Sequence, residues 1–159
     1  MASEHLDTYL QDHFAGATGG AELSKRIARS NPGNRDLDAV AAEVEEDRET
    51  LAAIMEALDI SMPALKSAIA WAGEKAGRLK LNDRLFGRSP LSSVLELEGM
   101  IAGVTGKLEL WRAMQEAGPG DRRVASFDFE ALATRAESQR ARLEAAHADA
   151  VRAGLGRTP

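Results

Sequence analysis

The amino-acid sequence predicts an all-α protein built as a bundle of long helices. Aromatic residues make up only 4% of the chain, and the long stretches between breakers are rich in Ala, Leu, Glu and Arg. That composition favours helix over strand. SNPGN at 30–34 and AGPGD at 117–121 place Pro and Gly together, which is typical of turns. No segment shows the polar and apolar alternation of a half-buried strand.

Five helices are predicted, four of them long. Ser61 with Pro63 and Ser89 with Pro90 mark two helix starts, because Ser caps a helix and Pro is tolerated in its first turn. The predicted helices span residues 4–29, 36–58, 62–79, 90–117 and 127–154. We expect a single domain over 1–159, with a frayed tail at 155–159.

Composition limits the class of partner and the compartment. A net charge of −5 and a pI of 5.3 argue against nucleic acid as a partner. The chain has no cysteine, which excludes disulfides and cysteine nucleophiles. No apolar run approaches the roughly 18 residues of a membrane span, and the first residues do not resemble a signal peptide. We therefore expect a cytoplasmic protein that binds neither nucleic acid nor a membrane.

The spacing of the breakers predicts the order of the helices. The short turn at 30–34 makes the first two long helices antiparallel. Residues 59–89 are numerous enough for a crossover that carries its own helix along the bundle, so the second and third long helices would be parallel. The turn at 117–126 then returns the fourth helix. The predicted topology is up-down-down-up.

Each long helix places an ionisable residue on its apolar stripe. Steps of three and four along the helices put His13, Asp47, Glu98 and Arg140 in rows of otherwise apolar residues. A helix normally keeps its charges on its outer face. The sequence therefore predicts a buried polar centre near the middle of the bundle, in which Asp47 and Glu98 bond to the guanidinium of Arg140.

The last helix contains Glu144-x-x-His147, a spacing that puts both side chains on one face. Together with the helix order and the long crossover, this pair resembles the ferritin-like four-helix-bundle superfamily. The resemblance implies a pair of iron or manganese ions, for which Glu98, Glu144 and His147 match the pattern and Asp47 is the fourth candidate ligand. The segment EVEEDRETL at 43–51 departs from the pattern because it lacks the expected His, and Arg140 would repel a cation. The implied two-metal site is incomplete.

Two functions follow from these residues. The first is a non-catalytic ferritin-like bundle without a cofactor, serving as a scaffold or binding module. The alternative is a two-metal carboxylate oxidase or a metal-storage protein that holds an Fe or Mn pair. The stretch AGATGGA at 15–21 indicates either close helix packing or a self-association face, so a homodimer is among the expected assemblies.

Overall fold

The computed structural model of the protein describes residues 4–62 and 89–156. Within them the chain forms four α-helices and no strand, which confirms the all-α prediction. The helices are α1 (Glu4–Ser30), α2 (Arg35–Ala57), α3 (Pro90–Ala117) and α4 (Phe129–Gly154). Their bounds lie within two residues of those predicted for the long helices. The predicted helix at 62–79, apart from Met62, and residues 63–88 of the predicted crossover lie outside the described residues.

Side-chain caps explain where three of the helices begin. Asn34 accepts a hydrogen bond from the amide of Leu37 at the start of α2. Ser89 caps α3 in the same way, and Pro90 occupies its first turn as predicted. Asp128 accepts from Ala131 at the start of α4. Each cap satisfies one of the amides that a helix start leaves without a partner.

The end of α2 is closed by a Schellman motif that lacks the usual glycine. Asp59 takes a left-handed conformation, with φ of 59°. Its amide donates to the carbonyl of Glu56 over 3.0 Å, and the amide of Ile60 donates to Met55 over 2.8 Å. The chain thus turns away from α2 into residues 60–62.

The four helices enclose one apolar core. Helix α1 packs against α2 and α3, and α4 packs against α3 and α2. The fully buried side chain of Trp111 lies beside Phe129, with 6.5 Å between their ring centroids. The other large, fully buried apolar residues are Leu10, Ile27, Leu51, Ile54, Met55, Leu108, Leu110, Met114 and Leu143. Burial of these side chains from every helix supplies the main driving force for folding.

Helix α1 is antiparallel to both of its neighbours. Along α2, Gln11 bonds to Ser61 over 2.9 Å, whereas Lys25, farther along α1, pairs with Glu45 over 2.8 Å. Along α3, Arg26 pairs with Glu96 over 2.7 Å. Earlier in α1, Gly20 lies beside Met100, farther along α3. Residues near the end of α1 therefore lie beside residues near the start of α2 and α3.

Helix α4 is also antiparallel to its neighbours. Glu98 of α3 bonds to His147 over 3.2 Å, and Arg112 of α3 bonds to Glu137 over 2.7 Å. Contacts between α2 and α4 follow the same rule, because Glu43 meets Arg142 whereas Glu46 meets Arg135.

The described residues that flank positions 63–88 lie at opposite ends of the helices. Ser61 contacts Gln11, near the start of α1. Pro90 lies against Gly154, the last residue of α4. None of the helices in the described ranges has both the length and the apolar character needed to cross a membrane.

Candidate functional site

Asp47 is the most deeply buried carboxylate of α2, with only 2% of its surface exposed, as the apolar stripe predicted. Its Oδ2 atom accepts from Lys107 Nζ over 2.5 Å and from Gln139 Nε2 over 3.0 Å. Its Oδ1 atom accepts from Arg135 Nη2. Asp47 therefore joins α2 to α3 and α4 through charge-assisted hydrogen bonds.

Lys107 brings an ammonium group into the interior of the bundle. Its Nζ donates to the side-chain amide oxygen (Oε1) of Gln139 over 2.5 Å as well as to Asp47. Burial lowers the pKa of Lys107, because the charged amine loses water, and the carboxylate of Asp47 opposes this shift. Gln139 is fully buried and uses both ends of its amide, so it orders the ammonium and the carboxylate together.

A second layer of charges covers this centre. Glu43 accepts from Gln139 over 3.1 Å and from Arg142 over 2.5 Å. Arg135 also donates to Glu46 over 3.0 Å. We call the whole set the polar network: Glu43, Glu46, Asp47, Lys107, Arg135, Gln139 and Arg142. It contains three acids and three bases, so its formal charge is balanced.

A groove of about 500 Å³ lies outside the polar network, between α2 and α4. We call it the α2–α4 groove. All the residues that line it except Ala131 have polar or charged side chains, and the full set is Glu43, Asp128, Glu130, Ala131, Thr134, Arg135, Ser138 and Arg142. The network thus connects the bundle interior with a surface that a ligand can reach.

The predicted position of Arg140 between Asp47 and Glu98 is wrong. The Arg140 side chain is 38% exposed, and its Nε lies 3.6 Å from Glu144 in the next turn. Gln139 faces the core instead. One residue rotates a side chain by about 100° around a helix, so an error of one position moves Arg140 to a different face.

Glu98 does not belong to a buried centre either, and that prediction is also wrong. Its side chain is 52% exposed and contacts His147 Nε2 over 3.2 Å at the surface. Glu96, two residues earlier, is the buried carboxylate of α3, and its partner is Arg26. Helix α3 therefore presents a different face to the core from the one its sequence steps indicated.

His13 lies on α1, apart from the polar network. It is half-buried, and its ring meets the ring of Tyr9 edge-on with 4.5 Å between their centroids. Burial lowers the pKa of His13, because the imidazolium would lose water, although nearby Asp12 opposes the shift. Its placement fits a core-edge histidine that stays neutral at pH 7.

The alternative set of metal ligands is not assembled. Glu98 and His147 meet, whereas Glu144 pairs with Arg140 and Asp47 lies within the polar network. Within residues 4–62 and 89–156, no group of three or more His, Asp or Glu side chains is close enough to hold a metal ion. The predicted grouping of Asp47, Glu98, Glu144 and His147 is therefore wrong.

The sequence prediction overlooked Lys107, Arg135 and Gln139. The available signal for Lys107 was its place in GMIAGVTGKLELW, residues 99–111, where it is the one charged residue before Glu109. A second signal was a row of basic residues on α4 together with a row of acidic residues on α2. Opposite charges on two helices indicate that these faces pack together.

Comparison with protein-family models, with curated proteins and with solved structures found no match to this chain. The geometry of the polar network and of the α2–α4 groove therefore carries the functional argument.

Proposed function

We propose that this chain is a non-catalytic, ferritin-like helical bundle that serves as a scaffold or binding module. In this proposal a side-chain ammonium replaces the metal ions of the two-metal site. The observation that carries the proposal is the position of Lys107, whose Nζ lies 2.5 Å from both Asp47 and Gln139 inside the bundle.

The charges around Asp47 support a function that does not use a metal ion. Carboxylate bundles hold their metals with several acids that project inward from facing helices. Here the buried carboxylate of Asp47 is already neutralised by Lys107 and Arg135. A divalent cation at this place would meet two positive charges at short range, and their repulsion is strong in a poorly solvated interior.

The up-down-down-up topology is part of the proposal. It is supported by the antiparallel contacts of α1 with both α2 and α3, which make α2 and α3 parallel to each other. Ser61 and Pro90 lie at opposite ends of the helices. A helix the length of α1 is about 40 Å long, and a connection of 63–88 can span that distance.

Metal retention tests the proposal directly. Protein incubated with Fe²⁺ or Mn²⁺ without oxygen is desalted, and the metal is measured by elemental analysis. We expect far less than one equivalent per chain. An Asp47→Ala variant and a Glu49→Ala variant, which alters an exposed acid of the same helix, should give the same low value. Two equivalents retained by the natural chain and lost only in Asp47→Ala would overturn the proposal.

A further inference from the structure

We propose that the α2–α4 groove binds a small oxyanion, a carboxylate or phosphate group, at the side chains of Arg135, Ser138 and Arg142. This inference rests on the proposed function, because it names the ligand class of the binding module.

Long charged side chains bridge α2 and α4 at this side of the bundle. Arg135 extends from α4 to Glu46 and Asp47, and Arg142 extends to Glu43. The groove of about 500 Å³ lies outside these bridges and is lined by both arginines. A ligand in the groove can therefore contact both arginine side chains.

Some guanidinium N–H groups of both groove arginines have no acceptor among the described residues. The Nε atom of Arg135 is buried and has no acceptor among the described residues. Arg142 uses Nη2 for Glu43 and Nε for the carbonyl of Ser138, over 2.5 and 3.3 Å, which leaves Nη1 outside both contacts. The exposed hydroxyl of Ser138 lies between the two arginines along the groove wall. These donors suit the several acceptor atoms of an oxyanion.

Glu46 occupies one of the guanidinium donors of Arg135, the Nη1 group. Its side chain is 63% exposed, and the pair with Arg135 Nη1 is its contact with the network. Such exposed pairs contribute little stability, so an incoming anion can displace the Glu46 carboxylate into water. The two remaining acids, Glu43 and Asp47, face three bases, and the network then carries one positive charge.

The acids at the other end of the groove limit the ligand to a small group. Asp128 and Glu130 lie at the start of α4, about two to three turns from Ser138. Asp128 caps α4, and its carboxylate already accepts a hydrogen bond from the amide of Ala131. Their charges disfavour a long polyanion along the whole groove and place the anion at the end that contains Ser138 and Arg142.

The test is a titration of the ¹⁵N-labelled full chain with inorganic phosphate and, separately, with acetate. Ionic strength is held constant with sodium chloride, and the amide signals of α4 are followed by NMR. We expect saturable shifts centred on Thr134 and Ser138. Shifts that do not saturate, or that spread evenly over the exposed basic residues, would overturn the inference.

Two matched pairs of variants distinguish binding at a specific site from a general effect of charge. Glu46→Gln and Glu49→Gln remove one exposed acid each from α2, but Glu46 alone contacts the network. We expect Glu46→Gln to lower the Kd about threefold and Glu49→Gln to leave it nearly unchanged. Arg142→Gln should abolish saturation, whereas Arg140→Gln, on another face of α4, should not. Equal effects within either pair would overturn the site.

The two anions also identify the source of the ligand. Tighter binding of phosphate indicates a phosphorylated ligand, and comparable binding of acetate indicates a carboxylate. A titration without saturable binding would reject only the proposed ligand class. The proposed function is tested separately by metal retention.

Discussion

Asp47 is the residue on which the charge balance of the interior depends. It contacts two bases and one amide, while its own surface is almost wholly buried. A buried ion pair adds little net stability compared with a well-packed apolar pair, because both charges lose water. Removal of one member is costly, since the other charge stays buried without compensation.

Replacement of Asp47 by Asn should therefore destabilise the protein strongly. The variant keeps the shape of the side chain but leaves Lys107 and Arg135 without their carboxylate. We expect the free energy of unfolding to fall by about 3 kcal/mol in urea denaturation at pH 7. The control Glu49→Gln, an exposed acid of the same helix, should change it by no more than about 0.5 kcal/mol.

The same variant should show a distinct pH dependence. Burial lowers the pKa of Lys107 and Asp47 opposes that shift, so loss of the carboxylate should lower the pKa further. A base whose folded pKa lies below its unfolded value carries a penalty that is complete below the folded pKa and disappears above the unfolded one. The deficit of Asp47→Asn should thus shrink as the pH rises from 7 toward 10. A deficit that is unchanged at pH 9.5 would contradict the account.

The sequence revealed Asp47 but not its partners. Asp47 stands in a clean apolar stripe of α2, so helical steps alone identified it as buried. Helix α3 is apolar on several faces, so spacings of three and four residues did not identify its buried face. They predicted that Glu98 is buried, whereas Glu96 and Leu97 face the core. The partner of a buried charge depends on which faces meet across the bundle, and local spacing does not contain that information.

At the scale of elements, the starts of α2 and α3 were readable because their signals are local. Ser89 and Pro90 begin α3 as predicted, and Asn34 follows the Pro-Gly turn before α2. The end of α2 had no such signal. Asp59 occupies a position where glycine is usual, and only the backbone geometry reveals the Schellman motif.

Replacement of Asp59 by Gly should stabilise the protein. Glycine adopts a positive φ without the steric cost that a side chain carries. We expect a gain of roughly 0.5 kcal/mol, partly offset by the greater freedom of glycine in the unfolded chain. Thermal unfolding measures it, and Asp59→Ala, which keeps the strain and loses the polar side chain, serves as the control. A loss of stability in Asp59→Gly would show that Asp59 makes a contribution of its own.

At the scale of the whole molecule, the helices form two antiparallel hairpins, α1 with α2 and α3 with α4. The direction of the second hairpin relative to the first decides the topology. A chain without cysteine allows a single spin label to test it. Leu91, at the start of α3, is 41% exposed and suits the label.

A nitroxide attached to Leu91→Cys should broaden the NMR signals of Gly154 and Ile27. Both residues lie at the same end of the helices as Pro90. The signals of Gln11 and Ser61, about 40 Å away, should remain sharp. The oxidised and reduced label are compared in the same sample. Gly154 belongs to the same hairpin as Leu91 and serves as the internal reference. Broadening at Ser61 and Gln11 in place of Ile27 would reject the parallel arrangement of α2 and α3.

The polar network joins the two hairpins, and this has a consequence for the rates of folding. Contacts within each hairpin are local and close across a short connection, so they form with little loss of chain entropy. Asp47 belongs to the first hairpin, and its partners belong to the second. Its bonds can form only when the hairpins dock. If docking follows the rate-limiting step, Asp47→Asn should fold at the natural rate and unfold faster, which stopped-flow measurements over a range of urea concentrations would show as a shift of the unfolding limb alone.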